Sequence, residues 1–484
     1  MNGVANVRQI ATAIFWYNKR KGVKPLQQKD AKLFFIATWG CQMNSHDSEI
    51  MRAILEKNGY QWTERQEEAD IFILNTCSVR RHAEQRAIGF LGNLKNLKER
   101  NPELIIAVGG CAPQNPEVRE YLEKKAPHVD IIFGTRNYHR LPEFLNRVMV
   151  KRSRVIALDG EDEDLPGLLP AHHTSTVKAY VTIMYGCNNF CSYCIVPYTR
   201  GREKSRPLEE IYQEVQELAA KGYKEVMLLG QNVNSYGKDL PGAINFAKLL
   251  AHLDKIPGLA RIRYMTSHPR DFDDELIETI AATRKVCEHF HLPLQAGSNR
   301  ILQLMNRGYT REKYIQLTDK IKNKIPGASI TTDIIVGFPG ETEDDFLDTL
   351  DLVQTVRFDA AYTFMYSPRR GTPAAEMENQ VPSEIKKDRL NRLVDVQNRI
   401  TLEKNKLLED HVVEVLVEGR SKNNPERWSG RTRTNKIVVF EGEENEDLTG
   451  QIVEIVISCA QTWTLFGTLK TVSAKKESSS QSRI

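Results

Sequence analysis

Between Lys32 and Gly134 short apolar runs alternate with longer segments whose apolar residues recur every three or four positions. The runs are KLFFIATWGC, ADIFILNTC, LIIAVGGC and VDIIFG. SEIMRAILEKNGY lies between the first two, and a charged segment of helical character extends to Arg100. Runs that are apolar throughout suit strands covered on both faces, and the segments between them suit crossover helices. The pattern predicts a parallel α/β sheet domain over residues 32–150.

Six further runs follow: AYVTIMYG, EVMLLGQN, RIRYMTS, FHLPLQ, SITTDIIVGFP and AAYTFMY. They recur about every 30 to 45 residues, the spacing of successive βα units. Six units rather than eight predict a partial (βα)6 barrel, open on one side, over residues 177–403. From Glu414 the period becomes two, in VVEVLVEG, KIVVF and QIVEIVIS, which predicts a small β-barrel domain over residues 404–471. The chain thus reads as an α/β multidomain protein. LDGEDEDLPGLLPAHHTST is acidic and then rich in Pro, Gly, Ser and Thr, so residues 151–176 read as a linker. Residues 1–31 read as an N-terminal extension without a signal-peptide cleavage site, and 472–484 as a disordered polar tail.

Composition adds little to this picture. Of 484 residues 40% are hydrophobic and 27% charged, enough for several cores, and no apolar run is long enough to span a bilayer. The formal charge of +4 matters only where basic residues cluster. Eight cysteines without a secretion signal point to a reducing, cytoplasmic setting in which thiols serve as ligands or nucleophiles.

Six of the eight form two groups. Cys187, Cys191 and Cys194 have the spacing C-x3-C-x2-C directly after the first barrel strand. Three thiolates on one loop can hold three irons of a 4Fe-4S cube and leave the fourth open. A structural zinc loop is the alternative, although no fourth ligand follows at zinc-finger spacing. Cys41, Cys77 and Cys111 are far apart in sequence, yet each follows a strand of the first sheet. Strands of a parallel sheet deliver their carboxyl ends to one edge, so these three converge, and a second cube with an open iron is expected there. Cys287 and Cys459 read as small core residues.

The Cys187–Cys194 spacing, with aromatic Tyr193 before the last cysteine, resembles the radical S-adenosylmethionine (SAM) superfamily. Residues 32 to 471 as a whole resemble the methylthiotransferases, in the branch that modifies N6-isopentenyladenosine in tRNA. The resemblance is carried by TWGCQMNSHDSE, LNTCSVR, GGCAPQ, CNNFCSYCIVPYTRGREKSRP, LLGQNVNSYG, TSHPRD, HLPLQAGSNRIL, DIIVGFPGETEDDF and GRTRTNK. It implies that SAM chelates the open iron of the first cluster, with Tyr193 near its adenine. It also implies that the cluster of Cys41, Cys77 and Cys111 carries the sulfur that becomes methylated and is then placed on adenine C2. An unactivated ring C–H bond calls for a radical from a cofactor.

Gly230, Gln231 and Asn232 end the second barrel strand, where small residues admit the amino-acid end of a cofactor. By resemblance Asp333 and Gly337 belong to the ribose side of SAM, and Gln295 to cofactor or substrate. Arg200, Arg202, Lys204 and Arg206 follow the cluster loop and are expected along a tRNA backbone. So are Arg427, Arg431, Arg433 and Lys436, which with Trp428 form a basic loop on the last domain, itself resembling the RNA-binding TRAM module. The expected substrate is a tRNA anticodon loop. The expected reductant is a carrier such as flavodoxin or ferredoxin, and the expected state is a monomer. Competing readings are a threonylcarbamoyladenosine or ribosomal-protein substrate, a non-catalytic iron-sulfur electron carrier, and an RNA-binding module with structural zinc.

Overall fold

The computed structural model describes residues 31–78, 81–158, 169–442 and 446–470, so the N-terminal extension and the polar tail lie outside the described residues. The first domain runs β1 (Leu33–Trp39), α1 (Gln42–Lys57), β2 (Gln61–Trp62), β3 (Ile71–Thr76), α2 (Arg81–Arg100), β4 (Ile105–Gly110), α3 (Pro116–Lys125), β5 (Ile131–Phe133), α4 (Leu141–Lys151) and β6 (Val155–Ala157). Its six strands are all parallel, in the order β2-β1-β3-β4-β5-β6. One face buries Phe34, Ile73 and Phe133 with Leu55 and Leu145, and the other buries Phe72, Leu74 and Ile106 with Leu91 and Leu122. Cover on both faces is why these strands read as unbroken apolar runs.

Two edge strands escaped the sequence pattern because they are only two and three residues long. One of them, Val155–Ala157, lies in the span expected to be linker. It pairs with β5, and Leu169 and Ala171 pack on the same core, so the N-terminal domain extends well into that span. Its acidic part, 159–168, lies outside the described residues.

The second domain contains β7 (Lys178–Thr182), β8 (Met184–Tyr185), α5 (Val196–Arg200), β9 (Lys204–Ser205), α6 (Leu208–Ala220), β10 (Glu225–Leu229), α7 (Phe246–Leu253), β11 (Arg261–Tyr264), α8 (Asp274–Ala282), β12 (His289–His291), α9 (Asn299–Leu304), α10 (Arg311–Lys324), β13 (Ser329–Val336), α11 (Glu343–Val356), β14 (Ala360–Met365) and α12 (Ser383–Lys406). The six expected barrel strands are present as two parallel sheets, β7-β10-β11 and β12-β13-β14, joined by the single bridge Ile262–Val286. β7 and β14 do not pair with each other, which leaves the barrel open between them. Val181, Val226, Ile262, Phe290, Ile330 and Ile334 face the helices. The alternate residues, among them Glu225, Arg263, His291, Asp333 and Tyr362, face the barrel interior.

The third domain is a closed barrel of β15 (Val412–Arg420), β16 (Trp428–Thr432), β17 (Ile437–Glu441), β18 (Ile452–Ala460) and β19 (Leu465–Leu469) in the order β15-β16-β17-β19-β18. Two of these strands were not expected. Glycine at 430 and 467 dilutes their apolar pattern, and β16 runs through the segment read as a basic turn. Cys287 is buried as expected, whereas Cys459 is exposed: a bulge between Ile457 and Cys459 turns it off the core face.

Candidate active site

β1, β3 and β4 end in register, with Trp39 beside Thr76 and Thr76 beside Gly110. Cys41, which N-caps α1, thereby falls next to Cys77 and Cys111. Hydrogen bonding with Cys77 outweighs burial and, helped by Arg200, holds the Cys41 thiol down to about 6. Gly40 is required by this convergence, since a Cβ there would stand 2.5 Å from Asn44 Oδ1 and 2.9 Å from Cys77 Cβ. Asn44 and Asn75 tie the loops together: Asn44 Nδ2 donates to Thr76 O at 3.1 Å and Asn75 Nδ2 to Asn44 O at 2.8 Å.

Cys187, Cys191 and Cys194 lie on the loop between β8 and α5, over the carboxyl ends of the barrel strands. Ser192 fixes the loop by donating to Leu304 O at 2.7 Å, and Cys194 N donates to Cys191 O at 2.9 Å. Burial, reinforced by the neighbouring thiols, pushes Cys194 up to about 12; burial with Glu203 pushes Cys187 up to about 11. Cys187 and Cys194 are thus costly as free thiolates, and a cationic iron site is what would make them favourable. The donor set fits a 4Fe-4S cluster.

Each cysteine set is served by one buried guanidinium from elsewhere in the fold. Arg307 donates to Cys191 Sγ at 3.3 Å, Tyr193 Oη at 3.4 Å and Pro293 O at 2.8 Å. Arg200, at the end of α5 in the barrel domain, donates from Nε to Cys111 Sγ at 3.2 Å and from Nη2 to Asp47 Oδ2 at 2.7 Å. Thr135 and Arg136 of the first domain bond the carbonyls of Thr199 and Arg200 at 3.1 and 2.9 Å. Neither Arg307 nor Asp47 was assigned a role from sequence, although Asp47 lies within TWGCQMNSHDSE, because each matters through a partner 100 or more positions away.

At the ends of β10 and β11, Gln231 Oε1, Ser267 Oγ and His268 Nε2 are buried polar atoms without a protein partner among the described residues. Burial, with Arg307, brings His268 down to about 2 and keeps it neutral. These atoms suit the polar end of a cofactor beside Tyr193. Of the other residues expected at SAM, Asn232 is a strut, donating to Asp271 Oδ2 at 3.0 Å and accepting from His268 N at 3.2 Å. Gly230 packs on Met184. Asp333 lies 3.5 Å from His291 Nε2 inside the barrel, and the buried Gln295 donates its backbone N–H to Asp333 O at 2.8 Å. Gly337, at φ +69°, packs on Lys386 and donates to Glu341 at 2.6 Å. A cleft of about 250 Å³ beside the loop is lined by Asn188, Asn189, Glu203, Lys238, Asp239, Arg270 and Asp271.

The basic residues expected along RNA are placed differently. Arg200 is buried at the cysteines, and Arg206 pairs with Glu214 at 2.8 Å and donates to Thr182 O at 2.6 Å. Arg202 is exposed and lies over Phe190, and Lys204 is exposed. The loop around Arg433 closes the floor of the barrel. Arg261 and Arg263 donate to the carbonyls of Arg431, Thr432 and Arg433, and Arg263 also pairs with Glu225 at 2.7 Å. Arg433 grips Glu288 and Lys436 reaches Asp359. Arg431 pairs with Glu418 and Arg427 with Glu441. Trp428 is a core residue of the last barrel. Arg200, Arg206, Arg427, Arg431, Arg433 and Lys436 are thus committed within the protein, each facing a carboxylate brought from another part of the chain.

Comparison with known families agrees with this architecture. Residues 33–134 match an uncharacterized protein family (UPF0004), 181–353 the Radical SAM superfamily and 407–470 the TRAM domain. Among solved structures, the radical SAM methyltransferase TsrM from Kitasatospora setae shares the fold at a TM-score of 0.50 and 14% identity, over 71% of this chain and 75% of that one. A tRNA-2-methylthio-N(6)-dimethylallyladenosine synthase of Carboxydothermus hydrogenoformans is 55% identical over 438 residues, 90% of this chain and 99% of its own. The protein of that name from Moorella thermoacetica is 54% identical over 439 residues, 91% of this chain and 98% of its own. With near-complete coverage at this identity and the cysteines gathered as described, the chain belongs to the tRNA-2-methylthio-N(6)-dimethylallyladenosine synthase family, within the radical SAM enzymes.

Proposed function

We infer that the chain replaces the C2 hydrogen of adenine in N6-dimethylallyladenosine (N6-isopentenyladenosine) of tRNA by a methylthio group, using SAM and two 4Fe-4S clusters. One arrangement carries this reading: two separate sets of three cysteines meet through Arg200, whose backbone follows one set and whose side chain serves the other. Cys187, Cys191 and Cys194 would hold the SAM-binding cluster, and Cys41, Cys77 and Cys111 the second. Together these groups supply one-electron cleavage of SAM to a carbon radical able to take a ring hydrogen, and a sulfur to be methylated and transferred.

The protein's own residues bind, orient and exclude water. Arg307 holds Cys191 and Tyr193 in fixed relation, and Arg200 with Asp47 does the same for Cys111. The polar atoms of Gln231, Ser267 and His268 receive the amino-acid end of SAM. The open side of the barrel admits the base, and β14 carries exposed Tyr362 and Phe364 toward it, with Tyr198 exposed on α5. Tyr362 lies 5.8 Å from the His291 ring, so it faces the interior, where an unstacked adenine and its apolar N6 chain would find aromatic cover. Arg202 and Lys204 are the exposed basic residues of the cluster loop, placed where a tRNA backbone would pass. A flavodoxin- or ferredoxin-like carrier in the cytoplasm fits as reductant, acting on a monomer. No helix among the described residues is long and apolar enough to cross a membrane.

The test is anaerobic reconstitution with iron and sulfide, then incubation with SAM, reductant and isopentenylated tRNA. The expected products are 5'-deoxyadenosine and a methylthio mark on the adenosine beside the anticodon. Replacing Cys187, Cys191 or Cys194 by Ala should end SAM cleavage, whereas replacing Cys41, Cys77 or Cys111 should stop thiolation and leave cleavage. Absence of 5'-deoxyadenosine with every tRNA would overturn the reading.

A further inference from the structure

A second group of ligating side chains lies outside both cysteine sets. His46 and Glu49 are three positions apart on one face of α1, and His173 comes from the segment leading into β7. Their ligand atoms all lie within 4.8 Å of one another. The side chains are 3%, 4% and 9% exposed, so this is a closed interior site and not a solvated charge cluster.

The geometry points to a bound divalent cation, of the zinc class, held by His46 Nδ1, Glu49 Oε2 and His173 Nδ1. The contacts His46 Nδ1 to Glu49 Oε2 and His173 Nδ1 to the same oxygen are 3.3 and 3.2 Å. Tetrahedral zinc with bonds of 2.0–2.1 Å sets its ligand atoms about 3.3 Å apart, so both spacings to Glu49 Oε2 already match, and the two ring nitrogens lie within 4.8 Å of each other. The donors are two imidazoles and one carboxylate, a set suited to zinc. The carboxylate is also oriented: Thr174 donates to Glu49 Oε1 from both N and Oγ1 at 3.0 Å, which leaves Oε2 to the two rings. The rings are parallel within 8° at 6.2 Å, and Tyr223 closes the site edge-on against His173.

Without a metal, both Nδ1 atoms must carry protons directed at one carboxylate oxygen. With one, three lone pairs converge on a single point. The cation's place in the fold gives it a task. It would pin α1, whose first residues present Cys41 and Asp47, to the strand that enters the barrel, and so hold the two cysteine-bearing domains in register. Its ligands contain no sulfur, which separates it from any metal lodged among the cysteines.

The test uses the full-length, cluster-loaded enzyme equilibrated with zinc and freed of loose metal. Zinc X-ray absorption should show about one ion per chain with nitrogen and oxygen neighbours at 2.0–2.1 Å and no sulfur shell near 2.3 Å. His173→Ala and Glu49→Gln should each lose that zinc while keeping full iron content and native circular dichroism, and added zinc should raise the melting temperature of the parent chain but not of the variants. Failure to retain zinc, a sulfur-coordinated zinc, or zinc kept by both variants would each overturn the proposal.

Discussion

Arg433 separates two accounts of the last domain, one in which its basic loop grips RNA and one in which the loop closes the barrel floor. Arg433 Nε and Nη2 make three contacts with the Glu288 carboxylate between 2.6 and 3.1 Å, and Nη2 also donates to Val286 O at 2.8 Å. The two side chains are 24% and 29% exposed, so the pair is neither fully solvated nor fully buried. A forked, charge-assisted contact in that setting contributes about 2 kcal/mol, above a surface ion pair and below a buried one. Arg433→Gln and Glu288→Gln should therefore each cost about 2 kcal/mol in denaturant unfolding. The double variant should also cost about 2, because the second change removes nothing further. The companion assay is tRNA affinity across a salt series. A lost phosphate contact lowers the slope of log K against log salt by about 0.9, whereas a floor contact leaves it unchanged. Additive destabilisation, or a flattened slope for Arg433→Gln together with tighter binding for Glu288→Gln, would refute the floor assignment.

Arg307→Met removes the donors to Cys191 and Tyr193 and should slow SAM cleavage at least about tenfold with iron content retained; an unchanged rate and unchanged cluster EPR spectrum would count against it. Gly40→Ala places a methyl group against Asn44 and Cys77. It should cost about 1–3 kcal/mol and roughly halve the iron bound while SAM cleavage persists, and full iron content would contradict the packing argument. Asp271 is opposed by burial, yet hydrogen bonds from Lys238, Arg270 and Asn232 bring it down to about 2. A depressed carboxyl stabilises the fold above its unfolded value near 3.8 and loses that contribution as pH falls toward 2. Asp271→Asn should thus cost about 1–2 kcal/mol at pH 7 and flatten acid unfolding between pH 4 and 2, as followed by circular dichroism.

The parts legible in the sequence are those whose signal is local. Strands covered on both faces announce themselves as apolar runs, and Cys187, Cys191 and Cys194 share one loop, so their spacing alone singles them out as a candidate site. Cys41, Cys77 and Cys111 needed one more step, the rule that parallel strands end along one edge, and the in-register strand ends bear that rule out. What escaped were short edge strands and the partners of charge. RGREKSRP and GRTRTNK look alike as strings of positive residues, yet Arg200 and Arg433 meet Asp47 and Glu288, which lie 153 and 145 positions away in the chain. A run of charge states what is available and leaves open whether solvent, nucleic acid or the fold itself will use it.

The two buried guanidiniums also bear on how the domains depend on their cysteines. Arg200 crosses from the barrel into the first domain, where Asp47 offsets one side of its charge and the Cys111 sulfur faces the other. An arginine does not shed its proton, so the charge persists at any working pH and needs a partner. Burial pushes the Cys111 thiol up, leaving a weak acceptor in the free state, whereas a thiolate ligating iron is a strong one. On the proposed reading, in which the N-terminal cysteines hold a cluster, loading them would strengthen the contact that also holds the barrel against that domain. Arg307 repeats the logic within the barrel, linking Cys191 to the carbonyl of Pro293 at the end of a strand. On that reading metal loading and domain docking would be coupled through hydrogen bonds to sulfur.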